Sequence, residues 1–175
     1  GRARELNEDS FLAIEIPGND DALLAVADGV GGREAGDIAS RVALKILMEH
    51  QLGRPSGDAP YCRRRECLAL AVQRANRLLF NLNKELGGGT FATGTTLTAL
   101  HLYGDQAHLF SIGDSRCYRL RHNRIALLTA DDTWVRKLAE KHGSRDVDYQ
   151  HHPLANTLYR CLGCDPALSN RFQNL

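Results

Sequence analysis

Five acidic residues flank three predicted strands of this 175-residue chain: Glu8 and Asp9 before the first strand, Asp28 after the second, and Asp131 and Asp132 after a later one. An ionised carboxylate at the end of a buried strand is costly unless it is paired or bound to a metal. Hard divalent cations prefer oxygen ligands, carboxylates above all. The spacing therefore predicts divalent-cation chemistry where the strand ends meet.

Asp28 is followed by three glycines within four residues. The apolar runs 11–16 and 22–28, separated by the turn signal GNDD, predict a hairpin, and the open end of such a hairpin brings Asp9 close to Asp28. Glycine lets a backbone approach closely, so the carbonyl oxygen of Gly29 could itself be a ligand. Asp and Gly are also the commonest turn residues, and each acid taken alone is more simply explained as part of a turn.

Two helices and a series of short strands follow the hairpin. Helical periodicity begins near Gly36, and a longer helix is predicted from about Arg64 to Leu86. Their apolar residues step by three and four: Ile38, Val42 and Ile46 in the first, and Leu68, Val72, Ala75, Leu79, Leu82 and Leu86 in the second. The stretches TTLTALHLY, QAHLFSIGD, RCYRLR and RIALLTA predict an antiparallel meander, followed by a helix from Trp134 and a helix-like stretch LANTLYRCLG. We expect an α+β fold with helices layered outside antiparallel sheets.

Composition fits one globular domain spanning residues 1–175, with 43% hydrophobic and 25% charged residues. A net charge of +1 argues against a nucleic-acid partner, which is usually bound by a strongly basic face. No apolar stretch approaches the ~20 residues that a membrane span requires, and no signal peptide opens the chain. We expect a cytoplasmic protein without a membrane partner.

The five cysteines are an odd number, which suits a reducing compartment better than a disulfide framework. Cys62, Cys67, Cys161 and Cys164 could in principle form a four-thiolate zinc site. RCLGC follows a helix-like segment rather than a zinc-knuckle turn, so the simpler expectation is small buried or half-buried side chains.

Five short motifs stand in order along the chain: R-x-x-N-E-D-S (Arg4–Ser10), V-A-D-G-V-G-G-x-x-x-G (Val26–Gly36), G-T-T (Gly94–Thr96), I-G-D-S-R (Ile112–Arg116) and T-A-D-D-T (Thr129–Thr133). Their order and approximate spacing resemble those of the metal-dependent Ser/Thr protein phosphatases of type 2C. A further stretch, H-P-x-x-N-x-L-x-R-x-L-G (His152–Gly163), is similar to the bacterial members. The resemblance covers nearly the whole chain.

The resemblance implies a layered α-β-β-α sandwich of two antiparallel sheets flanked by helices. It implies hydrolysis of phosphoserine and phosphothreonine in proteins by water that two Mg²⁺ or Mn²⁺ ions activate, a third ion being optional. The implied partners are phosphorylated protein substrates and a cognate Ser/Thr kinase pathway.

The resemblance also implies a role for each matching residue. Asp28 would bridge two ions, and the Gly29 carbonyl would complete the coordination of one of them. Glu8 and Asp9 would hold the other ion, partly through water. Arg4 would bind the substrate phosphate, and Asp131 would bind the weaker third ion. Asp114, Thr95 and Thr96 would be structural. Residues 133–152 would form a flap over the substrate.

The chain departs from the family pattern after Asp132, because no S-D-G or D-N motif follows it. We expect a C-terminally incomplete member that lacks the last strands of the sandwich; a degenerate complete member is the alternative. Missing acidic ligands favour a second function, a catalytically impaired module that binds phosphoproteins or partners. A metallohydrolase acting on a small phosphoester is a third.

Overall fold

The computed structural model describes residues 7–16, 20–31, 35–52, 61–85, 93–142, 152–168 and 172–175. Its strands are β1 Asp9–Ile16, β2 Asp21–Gly31, β3 Thr93–Thr95, β4 Leu97–Tyr103, β5 Gln106–Ile112, β6 Tyr118–Arg121, β7 Arg124–Leu127 and β8 Phe172–Asn174. Its helices are α1 Ala35–Leu52, α2 Tyr61–Glu85 and α3 Trp134–His142. Arg4 lies outside the described residues.

The described strands form two antiparallel sheets. The larger has six strands in the order β1-β2-β4-β5-β8, with β3 pairing the end of β2. The smaller is the hairpin β6-β7. Helices α1 and α2 pack together, and α1 lies on β1, β2 and β3. The expected α+β class, with antiparallel sheets and flanking helices, is confirmed.

Alternating residues of β2 show which face of the large sheet the helices cover. Leu23, Ala25 and Ala27 are buried in the core, whereas Leu24 and Val26 are more than two-fifths exposed. Successive strand residues point to opposite faces. The helices therefore cover the face of Leu23, and the face of Val26 is the more open one.

The apolar stripe predicted on the second helix is confirmed, because Leu68, Val72, Ala75 and Leu79 of α2 are all buried. The stripe predicted on the first helix is wrong at its start. Ile38 is half exposed. Small alanines, Ala39 and Ala43, face the sheet instead, since their size lets α1 approach the strands closely.

The second strand is longer than predicted. It was expected to end at Asp28, yet β2 continues to Gly31 and pairs with β3, Gly29 lying opposite Thr95. Glycine has a low strand propensity, so this end of β2 is stabilised by its hydrogen bonds to β3 rather than by side-chain contacts. Asp28 therefore lies inside a strand at the point where β2 passes from β4 to β3.

The predicted four-strand meander is only partly correct. β4 and β5 pair as expected, but β5 then pairs with β8, and β6 and β7 form their own hairpin. The HN turn of that hairpin is confirmed: His122 and Asn123 both have positive φ, 49° and 59°. Two such residues are typical of the tight turn that matches strand twist.

The helix-like stretch expected at 154–163 is not a helix. Its backbone forms two isolated β-bridges instead, one between Leu158 and Thr133 and one between Leu162 and Thr95 of β3. Short polar residues in this stretch, and Pro153 directly before it, favour turns over helix. The stretch therefore ties two distant parts of the chain together.

Cys161 and Cys164 form a disulfide, a pairing that was not expected from the sequence, although Cys161 is buried and Cys164 half-buried as predicted. Their Cα atoms are 5.7 Å apart, a normal separation for a disulfide. Cys67 and Cys117 are free thiols. The side chain of Cys62 lies outside the described residues.

No helix in the part of the chain that the structure describes has the length and apolar character needed to cross a membrane. Of the predicted flap, residues 134–142 form α3, and 143–151 lie outside the described residues.

Candidate functional site

Asp9 and Asp28 face each other directly across the β1-β2 hairpin. Their Cα atoms are register partners in the antiparallel pair. Side chains in such a pair point to the same face, with Cβ atoms about 4.5–5.5 Å apart. The structure therefore brings together the two acids that the hairpin predicted.

The backbone N–H and carbonyl of Asp28 are both bonded to the threonine pair at the junction of β3 and β4. Its N–H donates to the Thr96 hydroxyl at 2.9 Å, and its carbonyl accepts from the Thr96 N–H at 2.9 Å and from the Thr95 hydroxyl at 3.0 Å. Both threonines are fully buried. They belong to the sheet region, as expected, and they also fix the Asp28 backbone.

Gly29 packs directly against the first turn of α1. A Cβ built on Gly29 would overlap the backbone carbonyl of Gly36. The Gly29 N–H donates to the carbonyl of Glu8 at 3.0 Å. Only glycines allow this contact, so strand β2 and helix α1 meet here backbone to backbone.

The Glu8 carboxyl lies against the same helix turn. A Cβ built on Gly36 would stand 2.6 Å from Glu8 Oε1. The start of a helix carries partial positive charge, which favours a carboxylate nearby. Glu8 therefore adjoins Gly29 from the α1 side, whereas Asp9 and Asp28 point to the open face.

A cavity of about 400 Å³ opens on the sheet face beside the two aspartates. Its lining comprises Asn7, Asp9, Ser10, Phe11, Val26, Ala27, Asp28, Ser115 and Arg116. Two aspartates and one arginine thus line the cavity together with the apolar residues Phe11, Val26 and Ala27. Such a mixture suits a charged ligand that is partly shielded from water.

Arg116 is a site residue to which sequence reasoning gave no role. It binds Asp131 with two nitrogens, Nε to Oδ1 at 3.0 Å and Nη2 to Oδ2 at 2.6 Å. Hydrogen bonding to Asp131 raises the pKa of Arg116 above its ordinary value. The signal that could have identified it is its place directly after G-D-S, at the end of the same motif.

Asp131 reaches the cavity only through Arg116, because it does not line the cavity itself. Asp132, its neighbour in the predicted acidic pair, is fully buried and accepts the Gly113 N–H at 3.1 Å. It ties the β5–β6 connection to the segment before α3. Burial raises the pKa of the nearby Asp114 carboxyl, and the negative charge of Asp131 adds to that rise.

The predicted meeting of three acidic segments at one edge is therefore only partly realised. Asp9 and Asp28 are paired, Glu8 lies on the α1 side beside Gly36, and Asp131 stands one ion pair away. Within the described ranges, no three His, Cys, Asp or Glu side chains are grouped so that they could hold a metal ion.

The sequence profile described as Protein phosphatase 2C matches residues 2–146 of the chain. The serine/threonine protein phosphatase PstP of Mycobacterium tuberculosis is 34% identical over 164 residues, which cover 93% of this chain and 29% of that protein. The serine/threonine phosphatase stp of Listeria welshimeri is 32% identical over 172 residues, covering 94% of this chain and 64% of that protein. The chain thus spans less than two thirds of each of these relatives.

Solved structures give the same result. The crystal structure of the Mycobacterium tuberculosis phosphatase PstP/Ppp superposes with a TM-score of 0.81 at 31% identity and covers all of this chain and 69% of that one. A PstP catalytic domain in complex with two manganese ions has a TM-score of 0.76 at 30% identity and covers all of this chain and 68% of that one. The profile, the relatives and the shared architecture agree, and the chain belongs to the protein phosphatase 2C family.

Proposed function

We propose that this chain hydrolyses phosphoserine and phosphothreonine in proteins, using divalent cations held at the open end of the β1-β2 hairpin. The observation that carries the proposal is the direct pairing of Asp9 with Asp28. Relatives named as Ser/Thr phosphatases, which cover more than nine tenths of the chain, support the same reaction.

The residues at this site fit a divalent cation. Two like charges placed directly opposite each other on neighbouring strands repel, and a cation between them offsets that repulsion. The donors are carboxylate and carbonyl oxygens, which suit Mg²⁺ and Mn²⁺. The PstP structure with two manganese ions supports two such ions here, and a third is proposed at Asp131.

Bound cations at this site supply Lewis acidity that activates water for attack on phosphorus and neutralises charge on the phosphate oxygens. Asp28 would be a ligand to both ions, and the bonds from Thr95 and Thr96 to its backbone would position it for that role. The Gly29 carbonyl is proposed as a further ligand. Asp9 faces the same site from β1, and Glu8 is proposed to act from the α1 side.

Arg4 is proposed to bind the substrate phosphate, because a guanidinium can grip two phosphate oxygens at once. Arg116 places a second positive charge in the cavity wall. Its two contacts with Asp131 hold that carboxylate at the cavity edge, where a third ion would compete with the guanidinium.

Residues 1–175 are proposed to act as one phosphatase domain, with 133–152 as a flap over the substrate. The described base of this flap is anchored by aromatic contacts. The Trp134 and Tyr159 rings lie 5.8 Å apart, and Lys137 Nζ lies within 5 Å of both ring centres. These contacts would keep the start of α3 in place.

The proposed substrates are phosphorylated proteins, and the proposed counterpart is a Ser/Thr kinase in the same cytoplasmic pathway. A second candidate function is a phosphatase-like module that binds phosphoproteins without hydrolysis. It is favoured by one observation: no group of three acidic or other metal-binding side chains is found in the described ranges.

The test is phosphate release from a phosphothreonine peptide by the whole polypeptide that carries this chain. We expect Mn²⁺-dependent release that Asp28→Asn lowers by at least a hundredfold, since a shared ligand of both ions is lost. Asp105→Asn, an exposed acid in the β4–β5 turn, is the matched control and should keep full activity.

Full activity of Asp28→Asn with the fold intact would contradict the proposal. The non-enzymatic module is separated by calorimetry. It predicts that phosphopeptide binds equally well with Mn²⁺ and with a chelator, and that no phosphate is released.

A further inference from the structure

The sulfur pair of Cys161 and Cys164 lies against strand β3. A Cβ built on Gly94 would stand 2.8 Å from Cys161 Sγ and 3.4 Å from Cys164 Sγ. Gly94 is the register partner of Val30, two residues after Asp28. The sulfurs therefore contact the short strand that borders the end of β2.

The residues between the two cysteines are bonded on both sides. Leu162 exchanges two backbone hydrogen bonds with Thr95, at 2.9 and 3.2 Å. The Gly163 N–H donates to Asn76 Oδ1 at 2.8 Å, and its carbonyl accepts from Asn83 Nδ2 at 3.0 Å. The segment 161–164, here called the CLGC loop, thus links α2 to β3.

The same threonine connects the CLGC loop to Asp28. Thr95 bonds Leu162 through its backbone and the Asp28 carbonyl through its hydroxyl, the latter at 3.0 Å. One residue therefore stands between the cysteine pair and the backbone of the aspartate that faces Asp9. Hydrogen bonds in such a buried network couple the positions of the residues that they join.

We propose that Cys161 and Cys164 form a reversible thiol–disulfide site whose redox state sets how firmly Thr95 holds the backbone of Asp28. The disulfide is the state in the structure. It closes a ring around Leu162 and keeps that residue in register with Thr95. The dithiol state leaves the CLGC loop held by its hydrogen bonds and by the burial of Leu162 in the core, without the covalent link, so that the Thr95–Leu162 bridge opens more often.

The chemistry needs a low-molecular-weight disulfide such as oxidised glutathione. Cys164 is partly exposed and Cys161 is only 3% exposed, so the Cys164 thiolate attacks the small disulfide first and releases one small thiol. The Cys161 thiolate then attacks the mixed disulfide at Cys164 Sγ and releases the second thiol. Two protein thiols and one small disulfide thus become one protein disulfide and two small thiols.

The test compares the protein equilibrated in oxidised glutathione with the protein reduced by a phosphine. Closing so small a ring should raise the melting temperature of the oxidised form by about 4–8 °C. Amide hydrogen exchange at Asp28, Thr95 and Thr96 should slow at least threefold on oxidation. The effect on Mn²⁺ affinity rests on the proposed function: oxidation should lower the dissociation constant at least twofold.

Cys164→Ser and the Cys161→Ala/Cys164→Ala double variant should show none of these three shifts, whereas Cys67→Ser should behave as wild type. Thiols that stay reduced in excess oxidised glutathione would refute the site. A disulfide that forms without changing exchange at the three amides would refute its coupling to Asp28. Amide hydrogen exchange that depends on oxidation, in a protein that binds no Mn²⁺, would contradict the proposed function but would still support the redox site.

Discussion

Replacing Thr96 with Val removes a hydroxyl that holds Asp28 and adds no bulk. The hydroxyl accepts the Asp28 N–H at 2.9 Å and bonds Ser115 Oγ at 2.7 Å, at a fully buried position. Valine keeps the branched shape, so the backbone N–H of Asp28 loses its acceptor. An unsatisfied buried donor costs about 1–3 kcal/mol, and we expect the free energy of unfolding to fall by that amount.

We expect Thr96→Val to weaken Mn²⁺ binding as well. Groups that orient metal ligands typically change affinity by ~10- to 100-fold when they are removed. We therefore expect the Mn²⁺ dissociation constant of Thr96→Val, measured by calorimetry, to rise about tenfold.

Thr98→Val is the matched control for this prediction. Thr98 is also buried, and its hydroxyl donates to the Ser115 carbonyl at 2.7 Å without touching Asp28. It should cost similar stability and leave Mn²⁺ affinity within about twofold. Equal losses of affinity in the two variants would refute the view that Thr96 acts by positioning Asp28.

Two further predictions concern stability. Gly29→Ala should lower the free energy of unfolding by about 1–3 kcal/mol in urea titrations, because its Cβ would overlap the Gly36 carbonyl; unchanged stability would contradict the backbone contact. Burial lowers the pKa of His108, which bonds Asn174 and lies near His101 and Arg65. The free energy of unfolding is therefore highest above about pH 6.5, where His108 is neutral in the folded and unfolded states. Below that pH the unfolded state gains a proton more readily, and the free energy of unfolding declines by up to ~1.4 kcal/mol per pH unit. His108→Gln should flatten the stability curve between pH 5 and 6.5, and an unchanged slope would contradict this.

The pairing of Asp9 with Asp28 could be predicted because it depends on local signals. Two apolar runs separated by a short turn set the register of a hairpin, and the register places one strand's start beside the other's end. The buried apolar stripe of α2 could also be predicted, because its 3.6-residue period is visible in the sequence.

The features that were missed depend on contacts between distant residues. β2 extends to Gly31 only because β3, more than 60 residues later, pairs with it. The partner of Arg116 lies 15 residues away in a different loop. The stretch around Leu158 and Leu162 is held by bridges to Thr133 and Thr95, both of them distant along the chain. Local sequence signals do not show such long-range contacts.

The central claim is that Asp28 and its neighbours hold divalent cations at the open end of the β1-β2 hairpin. Anomalous diffraction at the manganese edge, from crystals of the protein grown with Mn²⁺, tests it most directly. The account predicts a peak roughly 2.0–2.6 Å from a carboxylate oxygen of Asp28, with the Gly29 carbonyl or Asp9 alongside. Manganese bound elsewhere on the chain, with none in contact with Asp28, would contradict it.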